Sequence, residues 1–246
     1  MNILITAGGT TEKIDEVRAI TNTGTGMLGA LIADRFAAAD PSNSILYICS
    51  KGAVRPSVPA EVLIANDTVS LEWTVRKICG SQRIDVIIHS MAISDYRTKA
   101  VSDPVILAER IAGEIKTRGA GADEIADLIV NAPPLGDGAK IRSDRDNVVV
   151  VLEKTPKIIA MFRELQPESL IVGFKLLAGA PQNELLAAGR ALLEKNGCDF
   201  VFANDMRTVS AGKHSGYLID ANGTYKTAAG KEAIADLIVG AVTEIR

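Results

Sequence analysis

The sequence predicts an α/β chain: a doubly wound, mostly parallel sheet flanked by helices, with a β-hairpin late in the chain. Three observations predict it. Short apolar runs alternate with longer segments of helical period, the order expected of strand–helix–strand units. The runs are apolar at successive positions, as in strands buried on both faces. Near the end, Asn222-Gly223 separates two further β runs, and Asn-Gly is a strong hairpin turn.

In chain order the strand candidates are Ile3–Thr6, Ile45–Cys49, Val62–Ala65, Val86–His89, Leu170–Phe174 and Phe200–Ala203. Helical spacing marks Gly26–Ala38, Thr68–Cys79, Pro156–Leu165, Glu184–Asn196 and Lys231–Ile245. Val148–Leu152 is a further β run, and Tyr217–Asp220 with Thr224–Lys226 makes the hairpin. This order is Rossmann-like. Two polar stretches interrupt it, residues 8–25 and 131–147, the second holding Pro133, Pro134, Gly136 and Gly138. Loops of that length are either functional or disordered. No repeat, low-complexity tract or linker divides the chain, so residues 1–246 are expected to form a single domain.

The 27 Lys and Arg stand against 30 Asp and Glu, and a formal net charge of −3 argues against broad nucleic-acid binding. Apolar types at 47% allow a core of Val, Ile, Leu and Ala and exclude general disorder. No apolar run reaches the roughly 18 residues of a membrane span. The opening Met1-Asn-Ile-Leu-Ile-Thr reads as a strand rather than a signal peptide. Cys49, Cys79 and Cys198 are scattered like reduced thiols, and His89 and His214 are too few for a His-rich metal centre. A cytoplasmic protein that meets neither membrane nor nucleic acid is expected.

Gly24-Thr-Gly26-Met-Leu-Gly29 spells G-x-G-x-x-G. A dinucleotide fingerprint follows its first strand directly and has an acidic partner after the second. Here strand one ends near Ala7, and strand two ends in Cys49-Ser50-Lys51. An NAD(P)-dependent oxidoreductase is therefore an alternative reading. The physical content of the motif remains. Thr23 or Thr25 can cap the helix, glycines admit a ligand to the backbone, and the positive helix end favours a phosphate. A plain helix cap with closely packed glycines is the competing interpretation. Gly8-Gly9-Thr10 sits at the carboxyl end of strand one, where open sheets bind ligands.

The whole opening runs from Thr6-Ala-Gly-Gly-Thr through Asp15-Glu-Val-Arg18 to Asn22-Thr-Gly-Thr-Gly26-Met-Leu-Gly29. It resembles the signature of phosphopantothenate–cysteine ligase (phosphopantothenoylcysteine synthetase). The likeness continues through His89-Ser-Met-Ala-Ile-Ser-Asp95-Tyr, Lys140-Ile-Arg-Ser, Lys154-Thr-Pro156-Lys-Ile-Ile159, Gly173-Phe174 and Ala203-Asn204-Asp205. Starting at the ligase's first strand, the chain resembles the stand-alone form rather than the one fused behind a flavin-dependent decarboxylase. Two positions depart from the pattern. Gly24 stands where the family has a serine, and Ala191 replaces the first of two helical lysines, Lys195 matching the second.

The resemblance implies a ligase of coenzyme A biosynthesis joining 4′-phosphopantothenate to cysteine through an acyl-cytidylate. CTP would be co-substrate (ATP is the less favoured nucleotide), with Mg²⁺ held mostly by phosphates and water. It implies a homodimer in which Arg18 reaches the neighbouring site. It assigns Asn22, Lys140 and Arg18 to catalysis, and Gly8, Gly9, Thr10, Asn22, Thr23, Thr25, Gly26 and Gly29 to substrate. To the nucleotide it assigns His89, Ser90, Met91, Asp95, Lys140, Pro156, Lys157, Ile158, Ile159, Phe174, Lys195 and Asn204. No metal ligand is identifiable.

The side-chain chemistry suits those roles. Asn22 can hydrogen-bond an intermediate of changing charge, Arg18 offers a planar fork, and Lys140 a point charge. Each has a plainer interpretation: an N-cap for Asn22, an ion pair with Glu12 or Asp15 for Arg18, and a solvated charge for Lys140. Asp95 can cap a turn, and Phe174 can be core. Ser90 and Ser94 have no matching His–Asp set and no Walker lysine motif exists, so serine-hydrolase and P-loop chemistry are set aside. A non-catalytic nucleotide-binding protein is the remaining alternative.

Overall fold

The computed structural model describes residues 1–135, 141, 146–210 and 213–245. The first half runs β1 (Asn2–Ala7), β2 (Thr11–Lys13), β3 (Ala19–Thr21), α1 (Met27–Ala39), β4 (Ser44–Cys49), β5 (Glu61–Ile64), α2 (Thr68–Ser81), β6 (Val86–His89), β7 (Tyr96–Ser102), α3 (Pro104–Arg118) and α4 (Ala122–Val130). The second runs β8 (Val149–Lys154), α5 (Ile158–Leu165), β9 (Leu170–Leu177), α6 (Gln182–Asn196), β10 (Phe200–Asp205), α7 (Met206–Ser210), β11 (Ser215–Asp220), β12 (Tyr225–Ala229) and α8 (Lys231–Thr243). The chain divides into two compact units, one of residues 1–10, 23–93 and 157–246, the other of 11–22 and 94–156.

The first unit carries an eight-stranded sheet in the order β12-β11-β10-β9-β6-β1-β4-β5. From β5 to β10 every pairing is parallel, while β11 and β12 add antiparallel at the end. Alternation along β1 shows why its run is apolar throughout. Ile3, Ile5 and Ala7 face a core shared with α1 and α8, and Leu4 faces one shared with α2, α5 and α6. A strand covered on both faces has no solvent side to advertise. After β1 the chain adds β4 and β5 on one side, then returns to add β6, β9 and β10 on the other. The crevice outside the carboxyl ends of β1 and β6 is thus the switch point where such sheets hold ligands.

The second unit holds two small antiparallel pairings, β2–β3 and β7–β8, the latter with a bulge between Thr98 and Ala100. Its α3 is well delimited: Asp103 accepts hydrogen bonds from the Val105 and Ile106 amides, Pro104 opens the helix, and left-handed Gly119 closes it. Its core is slight, with Leu107, Ala132 and Val151 as the buried members, and α4 has no buried residue.

The predicted architecture is present, and most strands extend a residue or more beyond their predicted ends. The stretch at 8–25, read as loop, contains the β2–β3 hairpin. The segment 96–130, which carried no expectation, forms β7, α3 and α4. Helix α5 begins at Ile158 rather than Pro156, because Lys157 is still extended, with φ −85° and ψ 92°. Gly136, Gly138 and Lys140 lie outside the described residues.

Candidate functional site at the carboxyl edge of the sheet

Thr6 and His89 meet at the switch point. Met91 N–H donates to Thr6 Oγ1 at 3.3 Å, and Thr6 Oγ1 lies 2.9 Å from His89 Nδ1. Ser90 Oγ donates to the Thr6 carbonyl at 2.7 Å. His89 is 7% exposed and sits edge-on to Phe162, ring centroids 5.0 Å apart. Burial pushes its imidazole down to about 4, so the ring is neutral at pH 7. Met91 is core. These residues form the satisfied floor of the crevice.

The glycine stretch follows the packing interpretation of the two that its sequence allowed. A Cβ at Gly24 would run into the Gly8 carbonyl group, at Gly26 it would lie 2.9 Å from Ala53 Cβ, and at Gly29 2.7 Å from Ala7 Cβ. What fills the space beside these glycines is protein. They let the loop and α1 close onto β1. This also explains Gly24 physically, since a serine there would collide with Gly8. Two backbone bonds fasten Gly8 and Thr10 to Ala92: Ala92 N–H to the Gly8 carbonyl at 2.9 Å, and Thr10 N–H to the Ala92 carbonyl at 3.0 Å. Gly9 N–H reaches Ser50 Oγ at 3.4 Å.

Sequence reasoning missed Tyr47. It is fully buried in β4, with its hydroxyl 2.9 Å from the Val54 carbonyl and 3.2 Å from that of Gly26. A buried tyrosine needs such a partner, and that need was the available signal. Val54 N–H in turn donates to the Thr25 carbonyl at 3.0 Å. These bonds fix where α1 starts. Its N-cap, Gly26, has φ 76° and no side chain to offer, Thr25 Oγ1 is 3.4 Å from the Met27 amide, and no acidic residue occupies the first turn. Thr23 and Thr25 are exposed. The first-turn amides of this 13-residue helix are therefore open to an anion.

Further along the same edge, Asn204 is buried near the end of β10, and half-buried Phe174 on β9 tilts against Phe202 at 5.9 Å. Ile158 is buried and Ile159 half-buried in the α5 core contact, whereas Lys157 is exposed. Lys195 is not brought to this edge. It occupies the last turn of α6, and the crossover from β9 to β10 returns that end to the amino ends of the strands. Arg190 bonds the Gly223 carbonyl at 2.9 Å, in the hairpin turn beyond Asp220, which pairs with Phe200 at that opposite edge. All three cysteines are buried. Burial pushes Cys79 up to about 11 and Cys198 up to about 12, which removes them as nucleophiles.

Within the second unit, Arg18 is engaged. Asp15, its side chain 1% exposed, accepts from the amides of Val17 (2.8 Å), Arg18 (2.7 Å) and Ile141 (3.1 Å). Those amides hold its carboxyl below the usual range. Arg18 Nε lies 3.4 Å from the same carboxylate, and its Nη2 donates to the Ile141 carbonyl at 2.7 Å. The ion-pair interpretation of Arg18 thus holds in this chain, with Asp15 as the partner. Asn22 is half-buried, and Asp95 and Pro156 are exposed, the Asp95 carbonyl accepting from Thr155 N–H at 3.1 Å. Among the described residues no group of three or more His, Cys, Asp or Glu is placed to hold a metal, and no helix is long and apolar enough to cross a membrane.

Parallel strands wound both ways from β1, with helices on both faces and an antiparallel hairpin at one end, define a Rossmann-like α/β domain. Residues 1–114 and 125–245 match the family model of the DNA/pantothenate metabolism flavoprotein C-terminal domain, and the chain belongs to this family. The solved DNA/pantothenate metabolism flavoprotein from Streptococcus pneumoniae is 31% identical, with TM-score 0.83 over 100% of both chains. The coenzyme A biosynthesis bifunctional protein CoaBC of Thermococcus kodakarensis is 29% identical over 217 residues, 88% of this chain and 44% of that protein. Its counterpart in Mycolicibacterium smegmatis is 27% identical over 224 residues, 90% and 47% respectively. The chain spans about half the length of the curated relatives it matches. A Cab2 mutant in complex with phosphopantothenate-cysteine shares the fold at TM-score 0.68 and 17% identity, over 99% of this chain and 86% of that one.

These findings correct the assignment drawn from the opening motif. The matching family is described as the C-terminal domain of a flavoprotein, and the curated relatives as bifunctional proteins, not as a stand-alone phosphopantothenate–cysteine ligase. None of these names carries a ligase, CTP or Mg²⁺. The ligase activity, its acyl-cytidylate, CTP or ATP, Mg²⁺, the pairing of free 4′-phosphopantothenate with cysteine, and the homodimer tied to them are withdrawn. The physical reason is that a shared glycine-rich opening identifies a fold and its packing, as Gly24 and Gly8 show, and not a reaction step.

The family's description implies a flavin, and the described residues at this edge do not fit one. Thr6, His89 and Ser90 spend their polar atoms on one another and on the backbone, the space beside the glycines is filled by protein, and Phe174 leans into the core. Thr6 Oγ1, His89 Nδ1, Ser90 Oγ and Phe174 thus supply no contact to a flavin ring, and no step is routed through one.

Proposed function

We propose that this chain is a pantothenate-metabolism domain that binds 4′-phosphopantothenoylcysteine, the conjugate of phosphopantothenate and cysteine, at the carboxyl edge of its parallel sheet. One observation carries the reading: α1 opens at the switch point with an uncapped, acid-free first turn, which suits a phosphate monoester. Thr23 and Thr25 supply hydroxyls beside it, Gly26 and Gly29 set the backbone, and the conjugate runs toward Phe174 and Asn204. The names of the relatives, with coenzyme A biosynthesis in one group and bound phosphopantothenate-cysteine in another, support this ligand class.

A second reading is a nucleotide-binding domain without catalysis, or an NAD(P)-dependent one, favoured by the strand order β5-β4-β1-β6-β9-β10. The absence of an acidic residue where β4 ends in Cys49-Ser50-Lys51 weighs against a dinucleotide ribose. Calorimetric titration with phosphopantothenoylcysteine, its dephosphorylated form, FMN and NADPH separates the readings. Micromolar binding of the phosphorylated conjugate, at least tenfold tighter than its dephosphorylated form, is expected. Equal affinity for those two, or tighter binding of FMN or NADPH, would overturn the proposal.

A further inference from the structure

Beyond His89 the sheet of the first unit opens a notch. Pairing between β6 and β9 ends at His89 with Gly173, whereas β9 and β10 stay paired as far as Leu177 with Asp205. The chain leaving β6 bends away from β9 toward β1, where Ala92 bridges Gly9. Residues Phe174–Leu177 of β9 therefore wall the notch, and among the described residues no strand pairs with that side of them.

Lys175 stands on this wall. Side chains alternate along β9: Val172 and Phe174 face the core shared with α1, and Ile171 faces the core shared with α5 and α6. A Cβ at Gly173 would meet Ile159 of α5 and Leu192 of α6. Lys175, the next residue on that face, emerges beyond this apolar contact. It is half-buried, and among the described residues its ammonium has neither a hydrogen bond nor an ion pair. Asp205, on the same face of β10, is already held by the amides of Gly179 at 2.8 Å and Arg207 at 3.0 Å. A partly buried ammonium loses hydration that nothing in the chain replaces, and an arriving anion would replace it with a charge-assisted bond.

The two faces of the sheet decide which anion. Helix α1 packs on the Phe174 face, with its first turn over the ends of β1 and β6: a Cβ at Gly29 would lie 2.7 Å from Ala7 Cβ and 3.0 Å from Ser90 Oγ. A phosphate held there leaves Lys175, on the other face, to the far end of the conjugate. Strands β1 and β9 are two spacings apart, roughly 10 Å. From phosphorus to the cysteinyl carboxyl carbon, phosphopantothenoylcysteine has about twelve bonds, about 14 Å at the ~1.2 Å per bond of an extended chain. That is enough to pass Phe174 and cross the sheet edge. We infer that Lys175 is a specificity-determining residue, its ammonium pairing with the cysteinyl carboxylate of the bound conjugate. The inference rests on the reading of the site proposed above.

Calorimetric titration of wild type, Lys175→Met and Lys175→Arg tests it, with phosphopantothenoylcysteine and with its decarboxylated analogue, which keeps the phosphate and the pantothenoyl arm. Covering α5 and α6 needs only an apolar stem, so Lys175→Met should unfold in urea at the wild-type midpoint or above. It should bind the conjugate at least tenfold more weakly and the analogue unchanged, which abolishes the wild-type preference for the carboxylate. Lys175→Arg, still cationic, should keep part of that preference. An equal loss for both ligands overturns the inference, because the lysine would then act on the phosphate or on the fold. Wild type and Lys175→Met binding the conjugate equally well overturns the inference alone. A wild type that binds neither ligand overturns the functional reading and the inference with it.

Discussion

His89 shows how burial decides what a residue can do. The family resemblance assigned it to a nucleotide, and the structure gives it an Nδ1 in contact with Thr6, a Phe162 neighbour and a pKa near 4. The sign of its effect on stability follows. The unfolded ring titrates near 6.5 and the folded one near 4, so the unfolded state binds more protons between these values. Stability is full above about pH 6.5 and falls as pH drops toward 4, by roughly 3 kcal/mol in all. Urea unfolding across that window should show the loss, and His89→Gln should flatten it; identical slopes in both proteins would refute the assignment. Gly24 makes a second test at this scale. Gly24→Ala drives a methyl into the Gly8 carbonyl and should destabilise by about 1–3 kcal/mol. Gly52→Ala, with nothing within 4 Å, should be neutral or stabilising by up to about 1 kcal/mol. From the sequence these two glycines are alike; only the position of Gly8 across the turn distinguishes them.

Among the elements, α1 carries the most functional weight. Its open first turn is an electrostatic statement, and a charge placed there gives effects of opposite sign. Met27→Glu adds a carboxylate at the first helical residue, which should stabilise the helix by about 0.3–1 kcal/mol and weaken binding of the phosphorylated conjugate at least tenfold. Binding that survives the substitution would move the phosphate elsewhere. The strands β1, β4, β6, β9 and β10 were legible because burial on both faces leaves an unbroken apolar run. The helices α3 and α4 were passed over although Leu107, Ile111 and Ile115 in one, and Ile125, Leu128 and Ile129 in the other, recur at helical spacing; of these only Leu107 is buried. The strands β2 and β3 span three residues each, too short for alternation to register. Lys195 was misplaced because family order fixes a position in sequence, whereas the crossover decides at which edge of the sheet it emerges.

At the scale of the molecule, the two units differ in what holds them. The first has two extensive cores, one on each face of its sheet, while the second gathers Leu107, Ala132 and Val151. Local opening follows buried apolar contact. Hydrogen exchange should therefore run fastest in α4 and α3 and slowest in β1 and β6; equal protection would show that the cores do not set local stability. Acid should act on the second unit through Asp15. Its lowered pKa means that the ties to Val17, Arg18 and Ile141 are complete above about pH 4, near its unfolded value, and are lost as pH falls through the folded one. The doubly wound fold was open to sequence reasoning throughout, because periodicity records burial. The reaction was not, because the same opening residues serve packing first.

The central claim is that the phosphate of a pantothenate conjugate lies at the start of α1. A crystal structure of the chain with phosphopantothenoylcysteine tests it most directly. The account predicts phosphate oxygens about 3 Å from the amides of Met27, Leu28 and Gly29, with the chain extending along the sheet edge toward Asn204. A conjugate bound at the opposite edge, or with its phosphate away from α1, would contradict it.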